Sequence, residues 1–296
     1  MPVQLIQIKS ILGAFRPKTL TAALVPCVAG SFLAKGMGGE FHSVYLIWAM
    51  LSATCIQIGT NLVNDALDFK KGADTAERIG PQRITQAGVL KPQTVLLLGT
   101  LFFLLAIAFG IPLVMRGGWP LVIIGLISVA LGYGYTAGPL SLAYLGLGDL
   151  FVILFFGLIA VGGIYFVQTL TWSTEALVLG LQIGFLATVL IAINNLRDRE
   201  GDSKVGKKTM AVRLGVKFSK FEITFLCLAP FALNLYWMIN GHWPAGLMPW
   251  FVFPLAMKLV KNIWQTAPGR EYNAFLGQAA GLHLLFGLIL GLGFLF

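Results

Sequence analysis

The sequence predicts an all-α fold: a polytopic membrane bundle of about nine transmembrane helices, forming one domain over residues 1–296, with its large polar loops on the cytoplasmic face. Three observations carry this expectation. Of the residues, 57% are hydrophobic and 11% charged, against about 25% charged in a soluble domain. The apolar residues fall into uncharged runs of membrane-spanning length. Of the 21 Lys and Arg residues, 19 fall in segments that a nine-helix count puts on one side.

A span needs about 20 mostly apolar residues. The N-terminal MPVQLIQIKSILGAFRPK is too polar and interrupted for a cleaved signal peptide and reads as an interfacial helix leading into the first span. The uncharged runs are then 19–34, 41–64, 92–115, 117–148, 150–174, 176–196, 223–257 and 272–296. Run 117–148 holds one helix before the breaker Gly138-Pro139. Run 223–257 divides into two short helices around Asn240-Gly241-His242-Trp243-Pro244; without that division the count is eight. With the N-terminus inside, the segments up to Lys18 and over 67–92, 196–220 and 258–270 are cytoplasmic, and only Lys35 and Arg116 lie outside. That asymmetry is the positive-inside signal of a multi-pass inner-membrane protein. Cys27, Cys55 and Cys227 sit in apolar runs and read as small buried hydrophobes, with no disulfide framework.

Two polar clusters interrupt the oil. Asn61, Asn64, Asp65 and Asp68 end the second helix at spacing i, i+3, i+4, i+7, one helical face, with Asp74 beyond Gly72. Asn194, Asp198 and Asp202 end the sixth helix at i, i+4, i+8. Each cluster precedes a basic, Thr-containing loop, GPQRITQAGVL (80–90) and GKKTMAVRLG (206–215), as in a duplicated four-helix unit with a ninth helix added. Taken singly, such a cluster reads equally well as a solvated loop paired with itself. The matched pair on one side argues for more.

Carboxylates facing each other repel: two unit charges 4 Å apart interact by about 4 kcal/mol at an effective dielectric near 20. A divalent cation reverses that sign. Oxygen ligands with no His or Cys nearby select Mg²⁺ or Ca²⁺ over zinc, and Mg²⁺ shares its shell with substrate phosphates. The two clusters with their basic loops therefore read as a diphosphate site, with metal between aspartates and phosphate and Arg or Lys on the other oxygens. Asn61, Asn64 and Asn194 would bond phosphate or orient the carboxylates. Arg83 and Lys208, and less directly Lys207 and Arg213, would meet diphosphate oxygens.

At these residues the chain resembles the intramembrane aromatic prenyltransferase superfamily, which carries an Asn-Asp-x-x-Asp motif on its second helix and an Asp-x-x-x-Asp motif on its sixth. Here these match Asn64-Asp65-Ala66-Leu67-Asp68 and Asp198-Arg199-Glu200-Gly201-Asp202. The family's further Asp four residues on is Gly72 here, with Asp74 beyond it. Four stretches, FRPKTL (15–20), NDALDFKKGADTAERIGPQRITQAG (64–88), YTAGPLSLAYLGLGD (135–149) and NNLRDREGDSKVGKKTMAVRLG (194–215), are most similar to the 1,4-dihydroxy-2-naphthoate prenyltransferases of menaquinone or phylloquinone synthesis. The resemblance implies Mg²⁺ on Asp65, Asp68, Asp198 and Asp202, a polyprenyl diphosphate as donor, and an aromatic acid as acceptor. It also implies catalysis within the bilayer, with no nucleic acid or protein partner required. An allylic cation would be attacked by the ring carbon bearing the carboxylate, with loss of CO₂.

Phe102, Phe103, Phe155, Phe156 and Tyr165 are candidates to line a prenyl groove, or simply to pack. Tyr135 is either an ordinary interfacial tyrosine or a group touching the cation or acceptor. Asp149 either caps the fifth helix or binds the acceptor. Arg16 and Lys18 read as snorkelling anchors. Two alternatives stay open. One is the same chemistry on 4-hydroxybenzoate, homogentisate or another acceptor, or phytyl transfer. The other is a secondary transporter, which would place charges at mid-span, where these helices have none.

Overall fold

The computed structural model describes residues 11–72, 78–136 and 142–296. Asp74 and Gly138-Pro139 lie outside the described residues, as do residues 1–10 of the expected interfacial helix; residues 11–14 are helical. The described chain is all-helical: α1 Pro17–Gly36, α2 Ser43–Lys70, α3 Pro92–Gly117, α4 Trp119–Gly134, α5 Gly148–Thr169, α6 Thr174–Lys204, α7 Met210–Ile239, α8 Trp243–Gln265 and α9 Tyr272–Gly293. Eight of these are long and apolar enough to cross a membrane; α4, with 16 residues, is shorter.

Local chemistry sets the boundaries. Proline near the first helical position opens α1, α3, α4 and α8, where a missing N–H costs nothing. Ser173 caps α6 by accepting the Ala176 N–H at 3.1 Å, and Thr209 caps α7 by accepting the Val212 N–H at 3.3 Å. Gly118, at φ 68°, makes the tight turn between α3 and α4. A short turn forms from Met210, breaks at Gly215 (φ 81°), and the seventh helix then runs on to Ile239, so it begins before the uncharged run that marked it in the sequence. Its Lys220 reaches to the end of α8 and donates to the Trp264 and Thr266 carbonyls at 3.2 and 3.0 Å, so the charge does not interrupt the helix.

α6 is the central and most enclosed helix, packed by α7, α5, α9 and α1. α2 packs extensively on α3, and α6 on α7, so each half holds a hairpin whose first helix carries a polar cluster at its C-terminal end. Leu97, Leu104 and Met115 of α3 and Leu126 of α4 point outward, an apolar surface suited to lipid. Inside, Gln182 answers its own polarity. It donates to the Pro230 carbonyl and the Asn234 side chain, both at 2.8 Å, and accepts from Trp237 at 2.7 Å. A π-helical segment, Ile153–Ile159, widens α5 where Gly157 meets α6; a Cβ there would lie 2.4 Å from the Gly180 carbonyl oxygen.

Candidate active site

The C-terminal turns of α2 and α6 end at the same end of the bundle and face one another across a cavity of about 420 Å³. Asn61, Asn64, Asp65 and Asp68 line one wall, and Asn194, Asp198 and Asp202 the other. Arg83, Tyr135 and Asp149 also line it. A second, apolar cavity of about 410 Å³ runs between α2, α3, α4 and α5. The two share Ala22, Thr60, Tyr135, Val152 and Phe156, so polar head space opens directly into apolar tail space.

The aspartates are not bare. Asp65 is 2% exposed and holds the loop after α2, accepting the Ile84 N–H at 3.2 Å and the Thr85 hydroxyl. Asp68 accepts from Arg83 at 3.0 Å, Lys207 at 3.2 Å and the Tyr144 hydroxyl at 3.3 Å. Asp198 is gripped by Arg197 at 2.8 and 2.6 Å, with Arg78 at 3.9 Å. Lys207 lies 3.7 Å from Asp202, so one ammonium spans from the first cluster to the second. Asn64 accepts the Thr136 hydroxyl at 2.6 Å, while Asn61 donates to the Phe15 carbonyl at 3.2 Å and so ties α2 to the segment before α1.

The cavity carries six cationic side chains against five aspartates. Burial and the neighbouring Arg83 and Arg78 guanidinium groups push Arg16 down to about 9, and its buried Nη2 has no hydrogen-bond partner. Such a crowd of cations is stabilised by a multiply charged anion. The phenols are held protonated: burial and the charges of Asp149, Asp68 and Asp202 push Tyr135 up, and burial with Asp68 does the same for Tyr144. The cavity lining contains carboxylate and amide oxygens but no His or Cys, a donor set that fits a hard divalent cation. Among the described residues no three acidic, His or Cys side chains already converge on one point. Lys207 occupies the bridging position between the two clusters.

Several sequence expectations resolve differently. Lys208 is exposed and outside the cavity, and its neighbour Lys207 turns inward instead; Arg213 bonds the Leu145 carbonyl at 2.9 Å. Of the proposed groove aromatics, Phe155 and Phe156 line the apolar cavity together with Phe151. Phe102 packs edge-on against Phe15, Phe103 is buried against Gly59, and Tyr165 belongs to the core. The half-buried Arg16 is part of the cavity rather than a lipid anchor. Arg197 and Asn273, joined at 2.8 Å, had no individual sequence signal. Asn273 opens α9, where no motif stands.

Comparison with known proteins agrees with this geometry. The chain is 35% identical to the 1,4-dihydroxy-2-naphthoate octaprenyltransferase of Bacillus subtilis, covering 95% of this chain and 90% of that one. It is 31% identical to the enzyme of the same name from Escherichia coli, covering 98% and 96%, and 28% identical to the 2-carboxy-1,4-naphthoquinone phytyltransferase of Synechocystis, covering 96% and 92%. Its fold matches a UbiA homolog from Archaeoglobus fulgidus bound to DMAPP and Mg²⁺, with TM-score 0.63 and 15% identity, over 95% of this chain and 98% of that one. An apo UbiA homolog from Aeropyrum pernix matches with TM-score 0.66 and 14% identity, over 94% and 96%. The UbiA prenyltransferase family itself matches residues 23–289, and this chain, an all-helical integral membrane protein, belongs to it.

Proposed function

We propose that this chain is a Mg²⁺-dependent prenyltransferase that moves a polyprenyl group from its diphosphate to 1,4-dihydroxy-2-naphthoate. Diphosphate and CO₂ are lost, and demethylmenaquinol, a menaquinone precursor, is formed. The whole chain acts as one domain in the cytoplasmic membrane, with the N-terminus and the polar cavity on the cytoplasmic side, and needs no protein partner. One observation carries the reading: two aspartate-bearing helix ends meet in a cation-rich cavity that opens into an apolar one. That is the shape of a diphosphate with a hydrocarbon tail.

Asp65, Asp68, Asp198 and Asp202 would hold Mg²⁺, which when bound neutralises charge on the leaving diphosphate. Arg16, Arg83 and Lys207 bind the remaining oxygens, and Lys207 can exchange its two carboxylates for phosphate. Asn64 keeps Thr136 in place, and Asn61 keeps the Arg16 segment against α2. Phe151, Phe155 and Phe156 wall the tail and keep water from the cationic prenyl carbon, which would otherwise be quenched to an alcohol. The electron-rich ring then attacks that carbon at the position bearing the carboxylate. A second reading keeps the ring and takes phytyl diphosphate as donor, as the name of the Synechocystis relative suggests.

The test is purified protein with Mg²⁺, labelled prenyl and phytyl diphosphates, and a panel of aromatic acids. Prenylated naphthoquinol and CO₂ in equal amounts are expected from dihydroxynaphthoate. Turnover on 4-hydroxybenzoate with none on the naphthoate would overturn the acceptor.

A further inference from the structure

Four of the five aspartates in the cavity are held by a cation or by loop donors; Asp149 is not. It lies in the first turn of α5, 8% exposed, with Oδ1 buried and without a hydrogen-bond partner. Leu147, the residue at the cap of its helix, supplies no side-chain bond; the carboxylate's one bonding neighbour is its own backbone, and among the described residues it has no ion pair. It lines the polar cavity close to Tyr135, Val152 and Phe156, the side chains shared with the apolar cavity. Tyr135 reaches over its neighbour: a Cβ on Gly148 would sit 2.8 Å from the phenol oxygen. From α7, Glu222 is near enough to interact with the charge of Asp149.

A prenyl diphosphate with its head among the cations and its tail in the apolar cavity puts its reacting carbon at this junction. The acceptor ring must lie there too. Resting on the reaction proposed above, we infer that Asp149 is a proton carrier for the acceptor. It accepts a hydrogen bond from the ring hydroxyl beside the carboxylated carbon, takes that proton as the carbon–carbon bond forms, and later returns it.

The step balances. The ring supplies the electron pair for the new bond to the prenyl carbon, whose bond to diphosphate oxygen breaks. The hydroxyl becomes a carbonyl and its proton passes to Asp149. The resulting β-keto carboxylate loses CO₂, its bonding electrons flow to the carbonyl oxygen, and that oxygen takes the proton back. The enzyme ends as it began.

The experiment uses full-length protein in detergent with two readouts: transfer to dihydroxynaphthoate, and scrambling of ¹⁸O from the bridging position of the prenyl diphosphate, which reports ionisation alone. Asp149→Asn should lower transfer by ~10²-fold or more, the range for a lost general base, while scrambling persists. Asp149→Glu should recover part of the transfer. With wild-type enzyme, the acceptor methylated on that hydroxyl should be prenylated as slowly as the parent is by Asp149→Asn. Transfer by Asp149→Asn at the wild-type rate, parallel loss of scrambling, or a methyl ether used as well as the parent each overturns the assignment. Wild-type scrambling without prenylation of the naphthoate overturns the substrate reading together with the proton role built on it.

Discussion

Lys207 and Lys208 are adjacent in sequence and opposite in surroundings. The Lys207 ammonium lies 3.2 Å from Asp68 and 3.7 Å from Asp202, inside the cavity. Lys208 is exposed, and only its backbone is engaged, bonding the Tyr144 carbonyl at 3.1 Å. Lys207→Met is therefore expected to lower kcat/KM by about 10–100-fold, since a charge-assisted bond contributes roughly 1.5–3 kcal/mol. Most of that should appear in KM for the prenyl diphosphate. Lys208→Met should stay within about twofold, as surface changes do; steady-state kinetics on the pair decides. Asp65→Asn and Asp198→Asn should both abolish turnover and both lower stability, by different routes. Asparagine at 65 can no longer accept from both Ile84 and Thr85, so the loop after α2 loosens by about 1–3 kcal/mol. Asp198 is gripped at both oxygens by Arg197, whose side chain is 2% exposed, so asparagine there leaves a buried guanidinium short of its counter-charge and its variant should melt below wild type too, with the loop after α2 left in place. The α2 wall was legible from spacing because the helix runs on to Lys70 and keeps Asn61, Asn64, Asp65 and Asp68 in phase. Arg16 and Asn273 come from segments more than 250 residues apart and share no period with the clusters. Only tertiary packing brings them in.

At the level of elements, the π-helical segment of α5 is placed by glycine. Gly157 packs against Gly180 and Gly184 of α6 so closely that a methyl group would meet backbone atoms at 2.4 and 2.7 Å. Backbone cannot step aside as a side-chain tip can. Gly157→Ala should therefore destabilise the protein by about 1–3 kcal/mol, the usual cost of overpacking. It should also shift the turn that carries Asp149, so a lower Tm in detergent should come with slower transfer. Gly163, whose added Cβ would come no nearer than 3.8 Å to any neighbour, is the control and should tolerate Ala. None of this could be read from hydropathy, which reports how apolar a run is and not how closely its backbone approaches a neighbour. The same limit explains α7. Counting charges placed its start at 223, because a lysine that folds over onto the end of the next helix looks, in sequence, like a lysine in a loop. Helices α1 to α3 were legible because proline and charged residues bracket them.

At the scale of the whole molecule, the charge distribution and the cavity lie at the same end. α1 and α3 begin at the cavity end and finish at the other, where Lys35 and Arg116 stand in their last turns. The remaining 19 basic residues are in segments assigned to the cavity end. Moving Lys or Arg through the bilayer centre costs about 2.5–3.5 kcal/mol on insertion scales, so this end should stay in the cytoplasm. The native cysteines make a labelling test clean, because Cys27, Cys55 and Cys227 are all buried and free. Lys208 is exposed at the cavity end, and Glu40, with its side chain 86% exposed, lies in the turn between α1 and α2 at the other. In intact cells a membrane-impermeant thiol reagent should label Glu40→Cys and leave Lys208→Cys untouched until the membrane is opened. The reverse pattern would place the diphosphate site outside, away from the cytoplasmic supply of a charged prenyl donor that cannot cross the bilayer unaided. Active enzyme with that orientation would require the donor to be delivered from the other compartment, so the labelling result bears on catalysis as well as on topology.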